Sequence, residues 1–229
     1  MQVLTNGKIE AKPTSYSLII NNNDETGVLD LRIKVNRQTL QKFASVMPLL
    51  IPEARRTFDR LSFWLDVPVD INYYSKDDEF ELGAKKMCFK VNGEDMLCFV
   101  PGYHRAIGIK VAQFVEMVNG LYETIEGSCF EPLKTTMASG NSSSGVKTFR
   151  AVGIRVPNLY LPYVMAAYDD TMCVVAYCGY MPDCKRYDRA VGGHAKYFTR
   201  DDENGWVMNN HVPFINRNLV EAASAFNIY

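Results

Sequence analysis

Asn92-Gly93 is the feature that most narrows what this chain can become. Asn-Gly favours the tight type I′ turn, whose backbone twist matches that of two antiparallel strands. Here it is flanked by Met87–Val91 and Glu94–Val100, both rich in apolar residues. A two-residue turn at this point would set Lys90 opposite Asp95 and Phe89 opposite Met96. That register gives an ion pair on one face of the hairpin and an apolar contact on the other.

The same logic extends along the chain. Tyr16, Leu18 and Ile20 alternate, the polar run Asn21–Thr26 turns, and Leu29, Leu31, Ile33 and Val35 alternate again, so a strand pair is expected over 15–35. Asn36 is placed to cap a helix with Leu40, Phe43 and Met47 on its apolar side, ended by Pro48. Leu61–Leu65 reads as a buried strand. One long amphipathic helix is expected from Lys110 to Glu126, because Val111, Phe114, Val115, Val118, Leu121, Tyr122 and Ile125 recur at three- and four-residue spacing. Gly127 is its C-cap. Short strands follow around 148–156, 163–168, 173–177, 194–199 and 206–208. The loop-like composition of Ala138–Gly145 marks an internal boundary, between an N-terminal α+β region, 1–139, and an antiparallel β region, 140–229, either as two domains or as parts of one continuous domain. The fold class expected is α+β.

Composition excludes more than it selects. The formal net charge is −1, so no basic stripe points to nucleic acid. No apolar run approaches the roughly 20 residues that cross a bilayer, and the first residues do not have the blocks of a secretory signal. The six cysteines therefore read as thiols of a reducing, cytoplasmic compartment. Cys173, Cys178, Cys184 and His194 match no common zinc spacing, and neither a metal nor a cofactor is expected. His104 reads as a turn residue, and the clusters Asp77-Asp78-Glu79 and Asp201-Asp202-Glu203 as solvated turns.

The last third carries the chemistry. His194 opens one strand, Asp202-Glu203-Asn204-Gly205 turns, and a second strand carries Trp206 followed by Asn209-Asn210. Nucleophilic thiol chemistry needs a thiolate, a base and a group that orients the base. His194 and Asn210 stand at the ends of the two strands of this hairpin, where the strands are neighbours. The segment 172–229 resembles the C-terminal part of the ubiquitin-specific proteases within the papain-like cysteine peptidases. Cys173–Tyr177 resembles that family's strand before a variable loop, and Gly193-His194 with Tyr197 its Gly-His box. Gly205–Val212 resembles its Trp, paired-acid and Val box, with Asn209-Asn210 in place of the acids, and Leu219-Val220 with Ser224–Tyr229 its closing helix and strand. The match covers about a quarter of the chain. Viral leader proteases of papain type share a similar arrangement.

No segment resembles the family's nucleophile box, and residues 1–87 contain no cysteine. Cys129, in Gly127-Ser128-Cys129-Phe130, is the substitute: a helix beginning at Glu131-Pro132 would help to hold its thiolate. The resemblance implies a papain-like C-terminal half, with Cys129 as nucleophile, His194 as base and Asn210 as orienter, acting on peptide or ubiquitin-type bonds, or a degenerate relative that binds such protein or peptide partners. The alternative is a non-catalytic assembly or protein-interaction module, including a viral structural protein.

Overall fold

The structure, a computed structural model, describes residues 1–142, 145–158, 162–179, 188–189, 196–210 and 217–224. In chain order the strands and helices begin with β1 (Gln2–Leu4), β2 (Lys8–Lys12), β3 (Ser17–Asp24), β4 (Gly27–Lys34), α1 (Arg37–Ala44) and α2 (Met47–Leu50). Then come β5 (Arg60–Leu65), β6 (Val69–Tyr74), β7 (Glu79–Ala84), β8 (Met87–Asn92), β9 (Asp95–Phe99), β10 (Arg105–Lys110) and α3 (Val111–Glu126). The chain continues through β11 (Glu131–Ser142), β12 (Gly145–Arg155), β13 (Tyr163–Tyr168), β14 (Met172–Gly179) and β15 (Asp188–Arg189). It closes with β16 (Lys196–Asp201), β17 (Gly205–Met208) and α4 (Arg217–Ser224).

This composition corrects the α+β, papain-like expectation. Strand accounts for 52% against 19% helix, so the protein is mostly β. The long helix forms where its periodicity predicts, with Gly127 in the left-handed region at its C-cap and bonded to the Glu123 carbonyl at 2.9 Å. It is not the framework of the fold, however. The segments around it alternate with period two and pair with one another, so strand ladders carry most of the backbone hydrogen bonding.

The chain divides into two units, Met1–Phe43 with Asp59–Gly127, and Ala44–Phe58 with Ser128–Tyr229. The first unit contains the strand order β1-β10-β9-β8-β5 and the antiparallel sheet β2-β3-β4-β6-β7; β1 joins β10 in parallel. Helix α3 packs on β2, β3 and β10. It buries Phe114, whose ring meets Phe43 at 5.8 Å and Phe89 at 5.3 Å, while Phe63 stacks on Phe89 at 4.8 Å. Asn36 caps α1 as expected, accepting the Thr39 N–H at 2.9 Å. Pro48, expected to end that helix, instead lies in the first turn of α2, where a missing N–H costs nothing.

The Asn92-Gly93 hairpin forms, in a different register. Asn92 pairs Asp95, so Lys90 stands opposite Leu97 and Phe89 opposite Cys98. Gly93 occupies the first central position at φ 59°, the place where a type II′ turn takes glycine. Its N–H is held by the Asp59 carbonyl at 2.8 Å. Asp95 is then left to pair with Lys110 at 2.6 Å, not with Lys90.

The second unit is built on β17-β16-β14-β13-β12-β11, with β15 also paired to β14. Residues 138–142 of the loop-like stretch belong to β11, and Gly145 opens β12, which pairs with it. One face of the sheet carries Phe149, Ala151, Met165, Ala167, Val174 and Ala176, covered by Leu219, Ala222 and Ala223 of α4. The other face receives the segment 44–58. Trp206 is buried there and donates its indole N–H to the Thr57 carbonyl at 3.0 Å, with Phe58 at 5.0 Å from its ring.

Two stability outcomes follow from this packing. Gly153 stands opposite Met165 in the β12–β13 ladder, and a Cβ there would lie 2.1 Å from the Met165 sulfur and 3.0 Å from the Val164 carbonyl. Gly153→Ala is expected to lose about 1–3 kcal/mol by overpacking, read as a lower urea midpoint, with part recovered by adding Met165→Ala. Trp206→Phe keeps most of the apolar volume but leaves the Thr57 carbonyl without its donor; a loss of about 1–3 kcal/mol is expected, measured by circular dichroism during denaturation.

Candidate functional site

His194, the expected base, lies outside the described residues. The hairpin that follows it is present: Arg200 pairs Trp206 and Asp201 pairs Gly205, and the Asp201 carboxylate accepts the Asn204 N–H to shape the turn. The acidic cluster there serves the turn, as the sequence indicated. Beyond β17 the Asn209 N–H bonds the Tyr197 carbonyl at 2.8 Å, and Asn210 is exposed.

Cys129 is half-buried in the short connection between α3 and β11. Next to it the Asn158 amide donates to Ser128 Oγ at 3.3 Å. Glu131-Pro132 begins a strand and not a helix; Pro132 is tolerated because β11 ends the strand order. The helix N-terminus invoked to hold the Cys129 thiolate is therefore not present.

The strand order places Cys129 beside β11 and Asn210 beside β17, at opposite ends of the sheet of this unit. Five strand spacings of about 4.8 Å, or roughly 24 Å along the sheet, lie between them. They are also offset along the strands. The ladder row through Glu131 runs by Arg155, Tyr163 and Cys178, whereas the row through Met208 runs by Phe198, Cys173, Tyr168, Arg150 and Met137. A thiol–imidazole–amide relay needs its outer members within roughly 10 Å, because each of its hydrogen bonds spans only about 3 Å.

The other described thiols are held protonated by their surroundings. Cys98 and Cys173 are fully buried, and desolvation pushes both thiols well above their ordinary range, with Asp169 adding to the effect at Cys173. Cys88 is raised first by partial burial, with Lys86 opposing and Asp66 reinforcing. Among the described residues no group of three or more His, Cys, Asp or Glu side chains converges as a metal set. No helix among them is long and apolar enough to cross a membrane.

Two features of the first unit were not read from the sequence. One is a cleft of about 510 Å³ between the β1–β2 connection, β9, β10 and the start of α3. Its charged groups, Asp95 and Lys110, form an exposed ion pair at its rim. The other is an aromatic cluster. The Arg105 guanidinium lies over the Tyr73 ring at 4.3 Å, Phe80 contacts Tyr73 at 5.4 Å and Tyr103 at 6.1 Å, and the Tyr73 hydroxyl donates to the Thr26 carbonyl at 3.0 Å. The cluster fastens the β6–β7 ribbon by packing. Its residues come from separate segments, so no local motif could have announced it. His104, beside Tyr103, is exposed, as a turn residue should be.

No family model matches this chain, and neither a curated protein nor a solved structure matches it.

The burial of the thiols has a direct readout. In the native protein at pH 8, Cys98 and Cys173 are expected to resist iodoacetamide and to react on addition of denaturant; intact mass with peptide mapping distinguishes the two states.

Proposed function

We propose that this chain is a non-catalytic protein-interaction or assembly module. The observation that carries this reading is the strand order of the second unit, which sets Cys129 and Asn210 at opposite ends of one sheet. A thiol relay assembled on that sheet would have to span it. The buried state of Cys98 and Cys173 supports the same reading, since a nucleophilic thiol needs access and a cause for its ionisation. What the fold supplies in quantity is strand surface and strand edge, the material from which β proteins build contacts with other chains.

The test is labelling with two thiol-directed electrophiles, one peptidyl and one ubiquitin-based, on the wild type, Cys129→Ala and His194→Ala, read by intact mass. The expected outcome is no adduct that depends on His194. A single adduct lost in both variants would overturn this reading and establish a Cys129–His194 peptidase site.

A further inference from the structure

We infer that the outer edge of β7 is a self-association surface, pairing antiparallel with β7 of a second copy of this chain across a twofold axis at Leu82. This deepens the assembly reading and rests on it. It is carried by three observations on the first unit: an open strand edge, a charge pattern that reverses along it, and an exposed leucine at its centre.

The edge is open. β7 ends the order β2-β3-β4-β6-β7 and pairs with β6 without a break from Tyr74↔Glu79 to Val69↔Ala84. Glu79, Glu81, Leu82 and Gly83 are all exposed, Leu82 at 53%. Edge strands are ordinarily blunted by shortness, charged side chains, proline, bulges or a covering segment; β7 carries the charges of Glu79 and Glu81, which antiparallel pairing must therefore offset. The β7 sequence Glu79–Ala84 contains no proline, its register shows no shift, and its exposure leaves no cover.

Ladder parity says which atoms face outward. The Ser75 N–H bonds the Asp78 carbonyl at 2.8 Å, so Ser75–Asp78 is a hydrogen-bonded pair in the same ladder. Alternation makes Tyr73–Phe80, Ile71–Leu82 and Val69–Ala84 the hydrogen-bonded pairs within the sheet. The N–H and C=O groups of Glu79, Glu81 and Gly83 therefore point away from β6. A copy of β7 can use them only in registers that pair these odd-numbered residues with one another.

Charge then selects one register. The segment 77–86 is acidic at its start (Asp77, Asp78, Glu79) and basic at its end (Lys85, Lys86), so antiparallel pairing brings acid to base. With Leu82 on the axis, Glu81 of each copy lies opposite Gly83 of the other, which has no side chain to oppose it. Glu79 of each copy then lies toward the bend at Lys85 of the other, and the acidic turn Asp77-Asp78 toward the end that carries Lys86. Phe80 faces Ala84, and the two Leu82 side chains meet at a non-hydrogen-bonded pair, where Cα atoms approach to about 4.5 Å. A shift by two residues one way sets Glu81 against itself. A shift the other way sets Phe80 against Lys86 and Glu79 against Met87, and keeps a single kind of opposite-charge pair, Glu81 with Lys85.

The experiment is sedimentation velocity on the full chain from nanomolar to high micromolar concentration. The wild type is expected to show a reversible monomer–dimer equilibrium. Glu79→Lys and Lys85→Glu, each alone, should weaken the dimer about ten-fold by replacing two attractive pairs with two repulsive ones, and the double exchange should restore it. Leu82→Lys should leave a monomer. All these side chains are exposed, so at nanomolar concentration, where the wild type is monomeric, thermal unfolding of the variants should match it and separate loss of pairing from loss of fold. A wild type that stays monomeric throughout overturns the inference, as does a dimer indifferent to Leu82→Lys and to the single charge reversals. Because this readout is association and not labelling, either of those results would leave the non-catalytic reading to stand or fall on thiol labelling alone.

Discussion

The indole of Trp206 reaches 149 residues back along the chain to bond the Thr57 carbonyl, and the second unit is organised around that contact. The segment 44–58 is flanked on both sides by chain belonging to the first unit. It is fixed to its own sheet by α2 against β12 and β13, and by Phe58 against Tyr168 at 5.2 Å and Trp206 at 5.0 Å. One face of the sheet is thereby closed by an inserted segment and the other by α4. A buried indole that lost its acceptor would bear the full cost of desolvating its N–H, so the bond and the packing depend on each other. Trp206 is also the residue that lends the C-terminal hairpin its likeness to a peptidase box, and here its duty is structural.

With the sheet closed on both faces, its strand order decides what chemistry the unit can host. Strands adjacent in sequence pair in succession from β11 to β14, and β16 and β17 extend the order from β14. Residues near the two ends of this segment of chain are thus carried to opposite ends of the sheet, Cys129 with β11 and Asn210 with β17. The same ladders bury Cys173, as those of the first unit bury Cys98. Burial in apolar surroundings disfavours the thiolate, since a charge moved from water into such an interior loses its solvation. The β architecture thus both separates the expected relay partners and keeps these two thiols neutral.

The first unit shows the complementary property. Its aromatic core of Phe43, Phe63, Phe89 and Phe114 is buried, and the Arg105–Tyr73 contact fastens the ribbon of β6 and β7. Holding that ribbon firmly leaves the far side of β7 as a row of outward-facing backbone donors and acceptors. Water satisfies such a row while it is unpaired, and the pairing inferred above would in addition remove Leu82 from solvent.

Local structure was legible where the signal was local. The alternation of Leu18–Ile20 and Leu29–Ile33, the Asn36 cap, the apolar stripe of α3 and the Gly127 stop each express a rule acting within a few residues, and each stands where the sequence indicated. The β6–β7 hairpin was missed because Asp77-Asp78-Glu79 reads as a polar turn and masks the strand that starts within it. The Asn92-Gly93 register slipped because the Asp59 carbonyl, far away in sequence, captures the Gly93 N–H. By itself the sequence determined several strands, the long helix and where those elements turn, since those choices depend on side-chain period and backbone freedom. Only the tertiary structure decided the strand order, and with it the placement of Cys129 and Asn210 beside different end strands and the edge position of β7. Pairing between distant strands is set by the burial of whole faces, which no short stretch of sequence encodes.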